Sequence, residues 1–322
     1  MKYLSLFSGI GGFELGIQQA YVETTKRSKK RGSKEDTQRN KGQRLLSKKG
    51  QGVGSKAGQS SKYNRNILNK GQPTCIGYSE IDKYAIQIYE KHFNHKNYGD
   101  IRDIKELPDF ELLIGGFPCQ SFSIAGKRGG FNDTRGTLFF EIARIVREKQ
   151  PRLLLLENVK GLLSHDKGRT FFTIISTLDE LGYDIQWQVL NSKNFGVPQN
   201  RERVFIIGHL RGTSRQEVFP FGETAEENPI KEFYRQPLRY LDRNQKNIKG
   251  DYGYALDASG TWGISDGSKI RRLTPTECER LQGFPDGWTK DVSDTQRYKT
   301  LGNAVTVNVI KSIAEKMFYK TN

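Results

Sequence analysis

Four residues stand where their side chains could do covalent or proton chemistry. Cys119 follows Gly115, Gly116, Phe117 and Pro118, directly after the apolar run Leu112–Ile114. Pro118 fixes the backbone just ahead of the thiol and helps aim the sulfur. A thiol of pKa ~8.5 is only a few per cent ionised at neutral pH, so a nucleophilic Cys119 needs local activation. Glu157 ends a second apolar run, Leu153–Leu156, and precedes Asn158 and Val159. Its carboxyl can cap the following turn or act beside the cysteine on the same rim. Arg201 and Arg203 alternate around Glu202, just before the apolar run Val204–Ile207. Such arginines either form salt bridges or present guanidinium groups to a phosphate or a base carbonyl.

A second group of residues could hold a ligand. Leu6, Phe7, Ser8, Gly9, Ile10, Gly11, Gly12 and Phe13 read as a strand running into a glycine turn and then a helix. Glycines there let a ligand approach backbone N–H groups at the helix start. Glu80 lies 68 residues past Gly12, but without a 47-residue basic segment the separation is 21. That is close to the ~20 at which a carboxylate takes ribose hydroxyls. The same logic sets Asp100, in Gly99-Asp100-Ile101, beside an adenine amino group.

The elements that must position these groups alternate in type. Tyr3–Phe7, Thr74–Tyr78, Leu112–Ile114, Leu153–Leu156 and Val204–Ile207 are short and apolar, as buried parallel strands should be. Leu138, Ile142, Ile145 and Val146 mark one helical face. Phe171, Ile174, Ile175, Leu178 and Leu181 mark another, stopped by Gly182. Thr274, Pro275 and Glu277 read as a capping box with proline at the first helical position. A last helix presents Val305, Val309, Ile313 and Met317 on one side. The alternation implies a doubly wound α/β sheet with ligands at the carboxyl ends of its strands.

Charge is concentrated rather than spread. The 322 residues carry a formal net charge of +16, which suggests a polyanionic partner. Between Lys26 and Gln72 there are fifteen Lys and Arg against Glu35 and Asp36. This stretch has few large apolar residues, so residues 26–72 are expected to be a disordered basic insertion, either a solvated loop with no task or an arm that attracts phosphates. Residues 211–270 lack helical periodicity and read as a small irregular subdomain. Cys75, Cys119 and Cys278 are too few and scattered for a disulfide framework, and four histidines with no Cys-x-x-Cys or His-x-x-x-His pair leave no zinc site. Leu153–Leu156 is the longest apolar run, too short to cross a bilayer, so no membrane association is expected. Glycines 9, 11 and 12 and Glu14 break the signal-peptide pattern that Lys2, Leu4 and Leu6 begin, and a cytoplasmic protein is expected.

Six segments in order resemble the bacterial and phage DNA (cytosine-5)-methyltransferases. They are Phe7 to Gly12, Pro118-Cys119-Gln120, Glu157-Asn158-Val159, Gln199 to Arg203, Arg272 to Glu277, and Gly302 to Val305. Together they span nearly the whole chain except 21–73 and 211–270. The resemblance implies a Rossmann-like S-adenosylmethionine-dependent methyltransferase sheet with a small, irregular target-recognition domain. It divides the chain into a catalytic, cofactor-binding part (1–210), a target-recognition domain (211–270) and a return to the catalytic domain (271–322).

The family further implies S-adenosylmethionine as methyl donor, with S-adenosylhomocysteine as product. Phe7, Gly9, Gly11, Gly12 and Pro118 would line its pocket, Glu80 would take the ribose and Asp100 the adenine. Asn303 and Val305 would close the methionine side. Cys119 would be the nucleophile, Glu157 the group on the cytosine ring nitrogen, Arg203 a contact to the base carbonyl, and Arg201 close by. Ile81 departs from several relatives, which place an aromatic there. Double-stranded DNA is the implied substrate, with the cytosine flipped out of the helix. A short site of roughly four or five base pairs suits the size of 211–270. A monomer is expected, and a cognate restriction endonuclease as a separate chain is the partner the family allows. A tRNA cytosine-5 methyltransferase is the nearest rival. A catalytically inactive DNA-binding protein would need a broken site, yet all four reactive side chains are present. A nicotinamide dehydrogenase is disfavoured because no Gly-x-Gly-x-x-Gly follows the first strand.

Overall fold

The computed structural model describes residues 1–27, 71–118, 138–214, 216–222, 239–241, 247–248, 253–254, 256, 263–265 and 270–318. Cys119 and most of the basic stretch, residues 28–70, lie outside them. Helix α1, residues 12–27, runs two residues into the segment read as the insertion.

A six-stranded sheet forms the centre, in the order β2-β1-β3-β4-β7-β5. Its strands are β1 (Lys2–Leu6), β2 (Thr74–Ser79), β3 (Leu112–Gly116), β4 (Leu153–Val159), β5 (Tyr183–Asn191) and β7 (Glu202–Leu210). The β2-β1-β3-β4 block is parallel throughout. The segment Val204–Ile207, expected to be parallel, is instead antiparallel to both neighbours within β7. Its continuous apolar run reports burial on two faces and says nothing of direction. The short link from β5 to β7, a helical turn (Ser192–Phe195) and the two-residue β6 (Gln199–Asn200), has no crossover helix. Such a link returns the chain antiparallel. Strand β5 has no apolar run at all; its half-exposed pattern suits a sheet edge.

The two faces of the sheet separate by residue parity, as a period of two requires. Leu4, Leu6, Leu113, Leu154, Leu156 and Ile206 pack under α3 (Leu138–Lys149) and α4 (Arg169–Glu180). Tyr3, Leu112, Ile114, Leu155 and Ile207 face the opposite way, against Phe13 and Ile17 of α1 and Val309, Ile310 and Ile313 of α7 (Val307–Phe318). The expected helical faces at 138–146 and 171–178 are thus the ones that bury. Gly182 follows α4 with φ +91°, the left-handed stop that glycine tolerates.

A third cluster joins α2 (Lys83–His92) to α5 (Pro275–Leu281) and α6 (Asp294–Asn303) through Tyr89, Phe93, Trp288 and Leu301. Helix α5 opens with the expected capping box: Glu277 N–H donates to Thr274 Oγ1 at 3.3 Å, and Thr274 N–H donates to Glu277 Oε2 at 2.7 Å. Helix α6 is polar with a weak apolar face and has no clear sequence signal.

Between β7 and α5 the described strands β8 (Arg239–Leu241), β9 (Asn247–Ile248), β11 (Gly263–Ser265) and β12 (Ile270–Arg272) form a small antiparallel sheet. Strand β10 (Gly253–Tyr254) leaves it to pair in parallel with β6. No helix among the described residues is long and apolar enough to cross a membrane.

Candidate active site

The glycine turn after β1 holds three residues with positive φ: Phe7 (+52°), Gly9 (+54°) and Gly11 (+86°). For phenylalanine that conformation is strained, and strain of this kind persists only where surroundings enforce it. The turn is tied down on several sides. Trp288 Nε1 donates to the Ile10 carbonyl at 2.9 Å. A Cβ on Gly11 would come within 2.3 Å of the Phe93 ring, and one on Gly12 within 2.8 Å of Val305 Cγ1. Gly9 is different, because nothing lies within 4 Å of where its Cβ would be.

Glu80 sits at the end of β2 and faces this opening. Its Oε2 accepts the Gly9 N–H at 2.9 Å, while Oε1 accepts the N–H groups of Ile81 and Asp82 at 2.8 and 2.9 Å. Three donors thereby orient the carboxylate and leave roughly one of its lone pairs for a ribose hydroxyl. Ile81 beside it is 68% exposed, an apolar platform at the rim. Asp100 is brought to the same rim, because Asn97 Nδ2 donates to the Glu80 carbonyl at 3.3 Å and Ser79 Oγ to the Gly99 carbonyl at 2.7 Å. Arg102 grips both Asp100 carboxylate oxygens, which lowers this acid's pKa from its ordinary value. Val305 is packed on Gly12 and Asn303 is exposed at the end of α6, so the chain's last quarter closes on its first turn. The space at Gly9, the oriented acid and the apolar platform fit an adenosine-bearing cofactor.

The next strands carry Glu157 and Arg203 and lead toward Cys119. Gly116 pairs with Glu157 across β3 and β4, and a Gly116 Cβ would lie 3.0 Å from Glu157 Oε2. Pro118, exposed, is the last described residue before Cys119. Asn158 is buried, and its Nδ2 donates to the Phe117 carbonyl at 2.9 Å, fixing the chain two residues ahead of the cysteine. Arg203 Nε lies 3.1 Å from Glu157 Oε1. Burial raises the Glu157 carboxyl above its ordinary pKa, and the charges of Arg203 and Arg201 oppose that rise.

Arg201 does something else with its fork. Its Nη1 donates to the Leu256 carbonyl at 3.1 Å, and its Nη2 to the carbonyls of Gly302 and Ala304 at 3.0 and 2.8 Å. It is 2% exposed, and burial pushes its pKa down to about 9, which leaves it cationic at neutral pH. Sequence reasoning grouped it with Arg203, but the structure turns it to backbone carbonyls. Asn158 and Gln199 stood in recognised motifs without a role assigned to them. Phe93 and Trp288, which brace the glycine turn, carried no local signal at all.

Comparison with known proteins extends this geometry. The pattern described as C-5 cytosine-specific DNA methylase matches residues 64–259 and 234–319. The Type II methyltransferase M1.ScrFI of Lactococcus lactis subsp. cremoris is 46% identical over 276 residues, covering 74% of this chain and 70% of that protein. M.NlaX of Neisseria lactamica is 37% identical over 349 residues, covering 98% of this chain and 96% of that one. Among solved structures, the Dnmt2 methyltransferase of S. pombe aligns with a TM-score of 0.62 at 17% identity, covering 98% of this chain and 97% of that chain. The Entamoeba histolytica methyltransferase EhMeth aligns at 0.59 and 19% identity, covering 99% of this chain and 98% of that chain. These two likenesses concern the fold.

Proposed function

The chain belongs to the C-5 cytosine-specific DNA methylases, enzymes that use S-adenosylmethionine, and on that premise we propose that Cys119 is its nucleophile, assisted by Glu157 and Arg203. The observation that carries the assignment is the β3–β4 register. It sets the Glu157–Arg203 pair against Gly116, three residues before Cys119 and one strand from the glycine turn.

The chemistry follows from the target atom. Carbon-5 of cytosine is a poor nucleophile until the ring is activated. The Cys119 thiolate adds to carbon-6, forming a carbon–sulfur bond and moving the ring's electron pair toward carbon-5. Glu157 holds a proton at the ring nitrogen where negative charge develops, and Arg203 donates to the base carbonyl while keeping Glu157 in place. When bound, S-adenosylmethionine supplies the methyl group that carbon-5 accepts, and S-adenosylhomocysteine remains. Loss of the carbon-5 proton to a base then returns the electron pair, the carbon–sulfur bond breaks, and the Cys119 thiolate is restored. None of these side chains reaches a stacked base, so the cytosine must leave the duplex. In the cofactor pocket, Glu80 would take the ribose, Ile81 would offer an apolar face to the adenine, and Asp100, held by Arg102, would accept from its amino group. Phe7, Gly9, Gly11, Gly12, Pro118, Asn303 and Val305 form the walls.

Residues 211–270 are assigned to sequence recognition, between catalytic parts 1–210 and 271–322. The Type II names of the relatives support a place in a restriction–modification pair, with the endonuclease a separate chain. The test is Cys119→Ser, with S-adenosylhomocysteine binding and methyl transfer measured together. Transfer should vanish while binding persists, and wild-type protein should form a covalent adduct with 5-fluorocytosine DNA. Near-normal transfer by the variant would overturn the assignment. Bisulfite sequencing of DNA from expressing cells identifies the site.

A further inference from the structure

The Gln199-x-Arg201 pair is absorbed neither by the reaction nor by cofactor contact, yet its two side chains make five hydrogen bonds to backbone groups of distant segments. Both side chains are buried, Gln199 completely. They hold the same residue from two directions. Gln199 Oε1 accepts the Leu256 N–H at 3.0 Å, and Arg201 Nη1 donates to the Leu256 carbonyl. Just upstream, the backbone of β6 pairs with β10, Gly253 against Gln199 and Tyr254 against Asn200. Gly253, Tyr254 and Leu256 of the recognition segment are thus fastened to one short strand.

The opposite ends of the two side chains reach the cofactor side. Gln199 Nε2 donates to the Leu281 carbonyl at 2.8 Å, and Arg201 Nη2 to Gly302 and Ala304, which flank Asn303. Gln282 repeats the grip, donating to the Leu301 carbonyl at 2.8 Å and accepting from Thr306 Oγ1 at 2.8 Å. Thr306 in turn meets Ser192 Oγ at 2.8 Å. Gln199, Arg201, Gln282, Thr306 and Ser192 are each 3% exposed or less. A buried amide or guanidinium gains nothing from water if its partner moves, so displacement at one end leaves polar atoms unpaired at the other.

We propose that Gln199 and Arg201 are positioning residues that make the seating of Gly253, Tyr254 and Leu256 and the packing of the 302–304 turn a single event, coupling DNA binding to cofactor binding. This rests on the assignment of 211–270 to DNA recognition. Coupling of this kind is reciprocal and commonly 5- to 150-fold.

The experiment measures the dissociation constant of S-adenosylhomocysteine for the full chain, with and without a duplex bearing the site found by bisulfite sequencing. Wild-type protein should bind at least about fivefold tighter with DNA. Arg201→Lys keeps the charge but not the fork. Gln199→Met keeps the volume but not the bonds, and Thr306→Val cuts the network at its cofactor end. In each folded variant the ratio should fall toward one, with affinity in the absence of DNA changed less than about threefold. A purely structural role would lower the melting temperature and leave the ratio intact. An unchanged ratio in the folded variants, or a wild-type ratio of one, overturns the proposal. Methyl transfer and adduct formation would stay normal in that event, whereas failure of the catalytic assignment would show in those two assays.

Discussion

Glu157 and Arg203 meet diagonally across two antiparallel strands, Nε to Oε1 at 3.1 Å, with side chains 13% and 18% exposed. The register explains the meeting: Glu157 is opposite Phe205 and Arg203 opposite Val159, two positions along on the same face. Burial drives the carboxyl toward its neutral form and the guanidinium drives it back, with burial the larger influence.

Replacing one partner exposes this balance. Glu157→Gln keeps the shape but not the titrating proton, and methyl transfer should fall by about 10²- to 10⁴-fold with little change in S-adenosylhomocysteine affinity. In Arg203→Met the carboxyl is left without its main counter-charge and its pKa rises further. A folded-state pKa above the unfolded one means stability is lost as pH rises. The penalty of Arg203→Met in urea melts should therefore be small at pH 5 and reach about 3–5 kcal/mol at pH 8.

Asn158→Ala tests how the nucleophile is aimed. The change leaves the buried Phe117 carbonyl without its donor, at a cost of about 1–3 kcal/mol. Adduct formation with 5-fluorocytosine DNA should slow by at least about tenfold, an activation cost near 1.4 kcal/mol. Cofactor affinity should stay within a factor of two to three. Equal losses in both would mean that Asn158 only supports the fold.

Gly9 and Gly11 should respond in opposite ways to the same substitution. Gly11→Ala drives a methyl group into the Phe93 ring at positive φ, so the main effect is on folding, about 2–3 kcal/mol in denaturant melts. Gly9→Ala meets no protein atom and bears only the backbone strain, about 1 kcal/mol. Its loss should appear in calorimetric S-adenosylhomocysteine binding, weakened at least about tenfold. A Gly9→Ala protein with normal affinity would place the ligand elsewhere.

Glu14 supplies a pH dependence remote from the reaction. It is fully buried on α1, accepts the Tyr89 hydroxyl at 3.0 Å, and burial raises its pKa to about 7. The folded-state value lies above the unfolded one, so its contribution is best below pH 4.5 and declines until pH exceeds about 7. Glu14→Gln cannot ionise. The stability difference between variant and wild type should shift by about 3 kcal/mol in the variant's favour from acid to pH 8.5. A flat difference would mean that Glu14 ionises in place without cost.

What could be read in the residues was local or periodic. The parity of Leu112–Ile114 and Leu153–Leu156, the helical faces at 138–146 and 171–178, and the capping box at Thr274 each follow from how a strand or helix repeats. The ordered motifs pointed to the family because glycines, Pro118-Cys119 and Glu157 are adjacent to the strands that present them. Direction and partnership were not legible. Nothing in Val204–Ile207 says antiparallel, since a strand buried on both faces is apolar whichever way it runs. Nothing in the run Gln199 to Arg203 says that one arginine faces a carboxylate while the other grips Leu256, Gly302 and Ala304. Alternation sends Arg201 and Arg203 out on equivalent sides of the chain. Only packing, with two distant segments delivering unpaired carbonyls to Arg201 and β4 delivering Glu157 to Arg203, gives the two identical side chains different work.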